Sequence, residues 1–228
     1  MKLFVIEGVD GSGKSTQLNL LKSFFTKEGY DCEFLHFPRT ASPFFGELIA
    51  RFLRGEFGSL NQVDPYLVAM LYAGDRRDAS AGIRDWLCNG KVVFLDRYTY
   101  SNIAYQCAKL DDENEQDKLM QWILSLEFRH FAIPLPGLNI FLDVPGSFTE
   151  KKLSADRSGD SRNYLNGNKD IHEESLNFQK KVRDIYLKIA ESDERMVIVN
   201  CAGSDGKMLP PETISGMILK IITERKLI

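Results

Sequence analysis

Five short apolar runs recur along the chain at long intervals, and each is rich in Val, Ile, Leu or Phe. None shows the regular apolar–polar alternation of a strand with one face in solvent. Strands buried on both faces lack this alternation. The runs therefore predict five strands, at residues 3–6, 34–37, 92–95, 138–142 and 196–199.

Segments with helical periodicity lie between these runs. Apolar side chains in residues 18–25 and 214–221 recur at helical spacing. Asp64 precedes a proline and has the form of a helix N-cap, and the Asn-Gly pair at 89–90 would end that helix near Cys88. Strands separated by helices pair in parallel through right-handed crossovers. We therefore predict a three-layer α/β fold, with the whole chain, residues 1–228, forming a single domain.

The composition narrows the class of protein. The 228 residues are 43% apolar and 27% charged, as in ordinary soluble domains. The net charge of −3 argues against a nucleic-acid surface, so a bound anion has to meet a local cluster of cations. The four cysteines form no CxxC pair, and the N-terminal apolar run is too short for a signal sequence or a membrane span. We expect a cytoplasmic protein without a nucleic-acid or membrane partner.

Residues 8–15 match GxxxxGK[ST], the phosphate-binding loop of P-loop nucleotide-binding proteins. The match follows a predicted strand and opens a predicted helix, which is the context that the motif requires. Glycines let backbone N–H groups surround phosphate oxygens, and the helix N-terminus adds partial positive charge. Lys14 would reach the β- and γ-phosphates of ATP, and the Ser15 hydroxyl would bind Mg²⁺. The predicted ATP-binding residues are Gly8, Asp10, Gly11, Ser12, Gly13, Lys14, Ser15 and Thr16.

Three arginines lie where a second anion would bind in an open α/β sheet, near the carboxyl ends of strands. Arg39 follows the second apolar run and Arg97 follows the third. Arg76 comes four residues after Tyr72 on the long helix, so ring and guanidinium share one helix face. A guanidinium can bind a phosphate through two parallel hydrogen bonds. Together these residues predict a pocket for a planar base and a monophosphate.

Four segments resemble motifs of the thymidylate kinase family. Residues 6–17 resemble the family's opening, and residues 37–39, 71–76 and 96–106 resemble its later motifs in the same order and spacing. The last segment, DRYTYSNIAYQ, is the specific part. The resemblance extends from residue 1 to about residue 200. It implies a P-loop NTPase fold with a five-stranded parallel sheet, a homodimer, and transfer of the γ-phosphoryl group of ATP-Mg²⁺ to dTMP.

The resemblance also implies roles around the acceptor phosphate and sugar. Arg39 and Arg97 would bind the acceptor phosphate. Asp10 would hold the sugar 3′-OH and assist the acceptor phosphate and the metal, while Asp96 would act on Mg²⁺ through water. Tyr105 would lie under the sugar and leave no room for a 2′-OH.

Further roles concern the base. Tyr72 would stack on thymine and Arg76 would hydrogen-bond its carbonyl oxygen. Ser101 and Asn102 would line the base pocket. Gln179 and Glu174 match positions that reach toward the nucleotide. The expected dTMP-binding residues are Asp10, Phe37, Arg39, Tyr72, Arg76, Arg97, Ser101, Asn102, Tyr105 and Gln179.

Residues 151–170 resemble the family's lid over ATP. Members of the family supply a catalytic arginine either from the phosphate loop or from the lid. The loop here has Gly11 and no arginine, so Arg157 and Arg162 are the candidates. With Lys14, Asp10 and Arg97, they complete the expected catalytic set.

Two alternatives remain open at this stage. A deoxynucleoside kinase, or another nucleoside monophosphate kinase of this fold, would share the phosphate loop. A deoxynucleoside kinase needs a carboxylate base near a 5′-hydroxyl, whereas this sequence offers Arg39 and Arg97. A nucleotide-binding switch would need no acceptor pocket, which would leave Tyr72, Arg76 and Tyr105 without a role.

Overall fold

The computed structural model describes residues 2–154, 164–165 and 176–227, with the backbone alone for residues 151–154. Its centre is a five-stranded sheet in which every neighbouring pair is parallel, in the order β2-β3-β1-β4-β5. This confirms the predicted α/β fold. The strands are β1 Leu3–Glu7, β2 Cys32–His36, β3 Val92–Asp96, β4 Leu138–Asp143 and β5 Met196–Asn200.

Burial differs between the centre and the edges of the sheet. All residues of β1 and β3 are buried, as the unbroken apolar runs predict. The prediction of burial on both faces is wrong for β2, whose residues are half-buried or exposed, and for β5, where Ile198 is exposed. Both lie at edges of the sheet, where cover from neighbouring elements is less complete.

Helices surround the sheet. Their bounds are α1 Lys14–Lys27, α2 Phe45–Leu53, α3 Pro65–Cys88, α4 Thr99–Cys107, α5 Glu113–Leu124, α6 Gly146–Ser154, α7 Leu176–Ser192 and α8 Pro211–Glu224. A π-helical segment, Ser125–His130, follows α5 directly. Among the helices in the described ranges, none has the length and apolar character that a membrane crossing requires.

The two faces of β1 pack into separate hydrophobic clusters. Phe4 and Ile6 join the cluster that contains Leu21 of α1. Leu3 and Val5, which alternate with them, join the cluster that contains Ile83 of α3. Side chains that alternate along a strand point to opposite faces. The central strands therefore hold apolar cover on both sides, which makes this region a rigid base for the loops at its carboxyl edge.

The long helix α3 begins and ends where its sequence predicts. The Asp64 carboxylate accepts hydrogen bonds from the backbone N–H groups of Tyr66 and Leu67, at 2.8 and 3.4 Å. These amides have no carbonyl partner within the helix, so the side chain satisfies them. The helix ends at Cys88, and Gly90 then takes a left-handed φ of 79° that a residue with a side chain adopts less readily.

The sheet register determines which loops meet. Ile6 of β1 pairs with Asp96 of β3, and His36 of β2 pairs with the same residue. The segments that follow β1, β2 and β3 therefore emerge side by side. This is the edge at which open α/β sheets bind ligands.

Candidate active site

The loop between β1 and α1 depends on its glycines. Gly11 and Gly13 have φ values of 77° and 89°, a left-handed conformation that favours glycine. A Cβ atom at Gly8 would lie 2.4 Å from the Ser12 hydroxyl, so this position has no room for a side chain. Gly13 caps α1 without a side chain, and the first amides of the helix are left for an anion.

Lys14 folds back over this loop. Its Nζ donates to the carbonyl oxygens of Gly8 and Val9, at 3.1 and 2.9 Å, and lies 3.5 Å from the Ser12 hydroxyl. Burial, assisted by the charge of Arg97, lowers the pKa of Lys14 to about 8. A bound phosphate would supply the negative charge that stabilises the ammonium form.

Asp96 and Ser15 form a small set of oxygen donors beside the loop. The Ser15 hydroxyl lies 3.5 Å from Asp96 Oδ2, and His36 Nδ1 lies 3.3 Å from the same oxygen. Burial alone would raise the pKa of Asp96, but the hydrogen bond from His36 and the charge of Lys14 lower it. Asp96 Oδ1 is buried without a hydrogen-bond partner among the described residues. His36 was missed by the sequence analysis, although its position at the end of β2 could have indicated it.

The donor set at Asp96 fits Mg²⁺ better than a transition metal. Mg²⁺ prefers oxygen ligands and is bound through one or two carboxylates together with phosphate oxygens and water. The part of the chain that the structure describes has no cluster of three His, Cys, Asp or Glu side chains able to hold a metal ion. A cation beside Asp96 would therefore take most of its ligands from substrate and solvent.

Asp10, Arg97, Tyr105 and Gln179 form one hydrogen-bonded network. Arg97 Nη2 lies 2.7 Å from Asp10 Oδ1, and the Tyr105 hydroxyl lies 2.7 Å from Asp10 Oδ2. Gln179 Nε2 donates to Asp10 Oδ2 at 3.0 Å, and its Oε1 accepts from the Asp10 backbone N–H at 3.1 Å. Arg97 has a left-handed φ of 66°. Four of the expected dTMP-binding residues, from three distant segments, are thus brought together.

The environment of this network keeps Arg97 charged and Tyr105 neutral. Burial alone would lower the pKa of Arg97, but Tyr105 and Asp10 hold it well above its usual range. The same burial raises the pKa of Tyr105. At neutral pH the network therefore contains a charged guanidinium from Arg97 and a neutral phenol from Tyr105.

Arg39 is aimed by a carboxylate that the sequence analysis did not single out. The buried Asp75 on α3 accepts from the Arg39 backbone N–H and from its Nε, both at 2.8 Å. Arg39 Nη2 donates to the Asp75 carbonyl oxygen and to Asp78, at 2.9 and 2.6 Å. These contacts tie the segment after β2 to α3 and limit the directions in which the guanidinium can point.

The expected base-pocket residues lie around the middle of α3. Tyr72 is half-buried beside the cluster of Ile49, Phe52 and Val68. Arg76 is 1% exposed and pairs with Glu127, at 2.6 and 2.7 Å. The sequence analysis treated Arg76 as a pocket arginine and did not anticipate its carboxylate partner, which lies 51 residues further along the chain.

Ser101 and Asn102 are held from beneath by buried carboxylates. Ser101 donates to Glu7, which also accepts from the Tyr98 backbone N–H at 3.0 Å and from the Tyr186 hydroxyl at 2.9 Å. Burial raises the pKa of Glu7. Asn102 donates to Glu127 at 3.0 Å. Glu7 and Glu127 were both missed by the sequence analysis, because a glutamate is ordinarily a surface residue.

The remaining expected residues are placed as follows. Phe37 is 1% exposed and packs against Tyr98, so it lies within the core beneath the site. Thr16 is exposed in the first turn of α1. Most of the expected lid, with Arg157 and Arg162, lies outside the described residues, and so does Glu174.

Comparison with known proteins gives a consistent picture. The family model described as thymidylate kinase matches residues 6–207. A "Probable thymidylate kinase" from Thermococcus onnurineus (strain NA1) is 36% identical over 205 residues, covering 88% of this chain and 89% of that protein. "Thymidylate kinase" from Mycobacterium tuberculosis (strain ATCC 25618 / H37Rv) is 34% identical over 190 residues, covering 82% of this chain and 85% of that protein.

A solved structure of thymidylate kinase from Candida albicans superposes with a TM-score of 0.71 at 28% identity. The superposition covers 98% of this chain and 92% of that one. Broad substrate specificity and a novel structural element are described for the Candida protein.

Proposed function

Because the chain belongs to the thymidylate kinase family and transfers the γ-phosphoryl group of ATP to dTMP, we propose that its two anion sites divide the two substrates between them. The phosphate loop and Lys14 take ATP, and the network around Asp10 and Arg97 takes dTMP. The observation that carries this assignment is that β1 and β3 bring both sites to the same edge of the sheet, joined through Asp10. An acceptor oxygen and a γ-phosphate bound there would face each other.

On the donor side, the loop amides and Lys14 stabilise charge. An oxygen of the dTMP phosphate attacks the γ-phosphorus, and the bond to the β-phosphate oxygen breaks to leave ADP. Negative charge spreads over the transferred oxygens during this step. Lys14 would move from the loop carbonyls to these oxygens, and fixed N–H dipoles that need no reorganisation would stabilise the remaining charge.

On the acceptor side, Arg39 and Arg97 hold the phosphate of dTMP. Asp75 orients Arg39 through two hydrogen bonds at 2.8 Å, and Asp10 orients Arg97 at 2.7 Å. Guanidinium groups fixed in this way bring the attacking oxygen close with little loss of entropy on binding.

The position of Asp10 also favours a phosphate acceptor over a hydroxyl acceptor. A deoxynucleoside kinase would need a carboxylate ready to take a proton from a 5′-hydroxyl. Both oxygens of Asp10 accept hydrogen bonds, from Arg97, Tyr105 and Gln179. These donors stabilise the carboxylate form and weaken it as a base.

For the base, we propose that Tyr72 stacks on thymine while Arg76 and Asn102 hydrogen-bond its edge. Asn102 Oδ1 is buried and has no partner among the described residues. A buried acceptor of this kind is costly unless a ligand supplies a donor. The N3–H group of thymine is a donor of the required type.

We propose that Ser15, Asp96 and Asp10 hold the cation that accompanies ATP, with Asp96 acting through water. Mg²⁺ bound here would neutralise charge on the β- and γ-phosphates. The unpaired buried Asp96 Oδ1 supports this assignment. Over the ATP site, we propose a lid at residues 151–170 from which Arg157 or Arg162 supplies a further cation, because the phosphate loop contains no arginine.

We also propose that the enzyme is a cytoplasmic homodimer that uses small molecules rather than nucleic acid. Leu67 and Met70 of α3 are 57% and 44% exposed and lie three residues apart, on one side of the helix. Apolar side chains grouped in this way are typical of protein interfaces. The net charge of −3 supports a small-molecule acceptor.

A direct test is ADP release from the purified chain with ATP-Mg²⁺ and a panel of acceptors. The panel contains dTMP, dUMP, UMP, dCMP, dAMP, dGMP and thymidine. We expect dTMP to have the highest kcat/KM and thymidine to give only background ADP release. Turnover of thymidine in preference to dTMP would contradict the assignment and favour a deoxynucleoside kinase.

A further inference from the structure

Glu127 is a fully buried carboxylate that does not lie in the proposed substrate site. It belongs to the π-helical segment Ser125–His130 and is the one residue of that segment that is fully buried. Its Oε1 accepts from Arg76 Nη2 at 2.7 Å and from Asn102 Nδ2 at 3.0 Å. Its Oε2 accepts from Arg76 Nε at 2.6 Å and from the Thr99 hydroxyl at 2.9 Å. Four donors therefore use the full acceptor capacity of one carboxylate.

The first consequence is that the Asn102 amide can have only one orientation. Its Nδ2 donates to Glu127 Oε1 and also to the Ala69 carbonyl oxygen, at 3.0 Å each. Both partners are acceptors only, so the reversed amide would place three oxygens against one another. The Asn102 oxygen must therefore point away from Glu127, where it has no partner among the described residues.

The second consequence is that Glu127 also fixes the orientation of Arg76. Two of its N–H groups are engaged by Glu127, and its guanidinium lies 6.0 Å from the centre of the Tyr98 ring. A guanidinium has only donors to offer. Arg76 and Asn102 contact the same Glu127 oxygen and therefore lie side by side. On the side away from Glu127, Arg76 presents a donor and Asn102 presents an acceptor.

We propose that Glu127 is a positioning residue that determines which pyrimidine the kinase accepts. This rests on the proposed function, in which Arg76 and Asn102 contact the base. Thymine and uracil carry an N3–H donor beside a C4 carbonyl acceptor, which complements the pair. Cytosine has an N3 acceptor beside an exocyclic amino donor. Its N3 would face the Asn102 oxygen, so two acceptors would meet, and its amino group would face the Arg76 guanidinium, so two donors would meet. Glu127 does not contact the base, but it keeps Arg76 and Asn102 in the orientation that excludes cytosine.

The π-helical geometry explains how a glutamate comes to this position. A π-helical turn carries one more residue than an α-helical turn, so it changes which residues face inward. Glu127 lies between Leu126 and Phe128 in sequence, and it turns toward α3 and α4. Such segments recur at functional sites in proteins.

The test compares kcat/KM for dTMP and dCMP in the wild type, Glu127→Gln and Thr99→Val. A site built to hydrogen-bond one pattern rejects the inverted pattern by about a thousandfold or more. Glutamine has one acceptor and one donor group in place of four acceptor positions. We expect Glu127→Gln to reduce the dTMP/dCMP ratio at least about tenfold while KM for ATP changes little. Thr99→Val removes one bond to Glu127 but leaves the contact with Asn102, so the ratio should not change.

The ratio separates positioning from a loss of stability, because a partly unfolded enzyme loses activity on both substrates equally. If Glu127→Gln does not yield folded protein by its melting curve, Glu127→Asp, which keeps the charge but shortens the reach, is measured by the same criterion. A ratio within about threefold of wild type in the folded variant would overturn the inference. A wild type that does not use dTMP would instead overturn the proposed function, and this inference with it.

Discussion

Tyr105 allows a ring and a hydroxyl to be tested separately. Its hydroxyl donates to Asp10 Oδ2 at 2.7 Å and accepts from Arg97 Nη2 at 3.2 Å. Its ring lies 5.1 Å below the Arg97 guanidinium and packs edge-on against Phe178. Tyr105→Phe removes the hydroxyl and keeps the ring, whereas Tyr105→Ala removes both.

The magnitudes follow from these contacts. A hydrogen bond to a charged group contributes ~1.5–3 kcal/mol, and each 1.4 kcal/mol corresponds to about a tenfold change in rate. We therefore expect Tyr105→Phe to lower kcat/KM for dTMP by about 10- to 100-fold, because Asp10 and Arg97 lose a shared partner. The ring remains in place, so the preference for dUMP over UMP should persist.

Tyr105→Ala should lower activity further and also narrow the dUMP/UMP ratio by about tenfold or more. Removing a buried aromatic side chain destabilises a domain by ~3–5 kcal/mol, so the assays should be run well below the melting temperature of the variant. ADP release with dTMP, dUMP and UMP gives kcat/KM for each acceptor, and a melting curve of each variant provides the control.

Two results would refute this account of Tyr105. Loss of sugar preference in Tyr105→Phe would show that the hydroxyl, and not the ring, excludes the ribose. Equal use of dUMP and UMP by the wild type would show that sugar selection does not occur at this residue.

Three further predictions address other residues. Lys14→Ala should lower kcat at least about tenfold without unfolding the protein, and activity above a tenth of wild type in this variant would contradict the assignment. Wild-type kcat/KM for ATP should fall as pH rises through about 8, where Lys14 loses its charge. Lys109→Met should raise the free energy of unfolding at pH 7 by ~1–3 kcal/mol, because Lys109 Nζ is buried without a hydrogen-bond partner among the described residues and burial lowers its pKa to about 7. The folded state then binds fewer protons than the unfolded state between about pH 7 and the ordinary lysine pKa of 10.5, so wild-type stability from urea unfolding should rise with pH across this window and the variant should lack that slope. Alanine at Arg157 or Arg162 should, for at least one of them, cut single-turnover phosphoryl transfer by about a hundredfold with ATP binding nearly unchanged, and wild-type rates in both would show that the lid contributes no catalytic cation.

Local features of this chain are predictable because their causes are local. Each of the five strands overlaps an apolar run of the sequence, and the cap of α3 depends on Asp64 and on the amides of Tyr66 and Leu67. The phosphate loop is determined by glycine spacing between a strand and a helix. The sequence alone also predicted that Arg39 and Arg97 follow strands, and the parallel pairing of β2 with β3 brings the carboxyl ends of these strands to the same edge of the sheet.

The tertiary structure alone decided which carboxylates orient these groups. Asp75 holds Arg39 across 36 positions, Glu127 holds Arg76 across 51, and Glu7 holds Ser101 across 94. No periodicity or motif spacing links residues so far apart in sequence, and an acidic side chain has no pattern that predicts burial. The folded chain places these carboxylates beneath the site because each buried charge must be paired with the donors that surround it. The positions of β2 and β5 at the edges are likewise determined by the order of pairing in the sheet. The apolar runs do not specify that order.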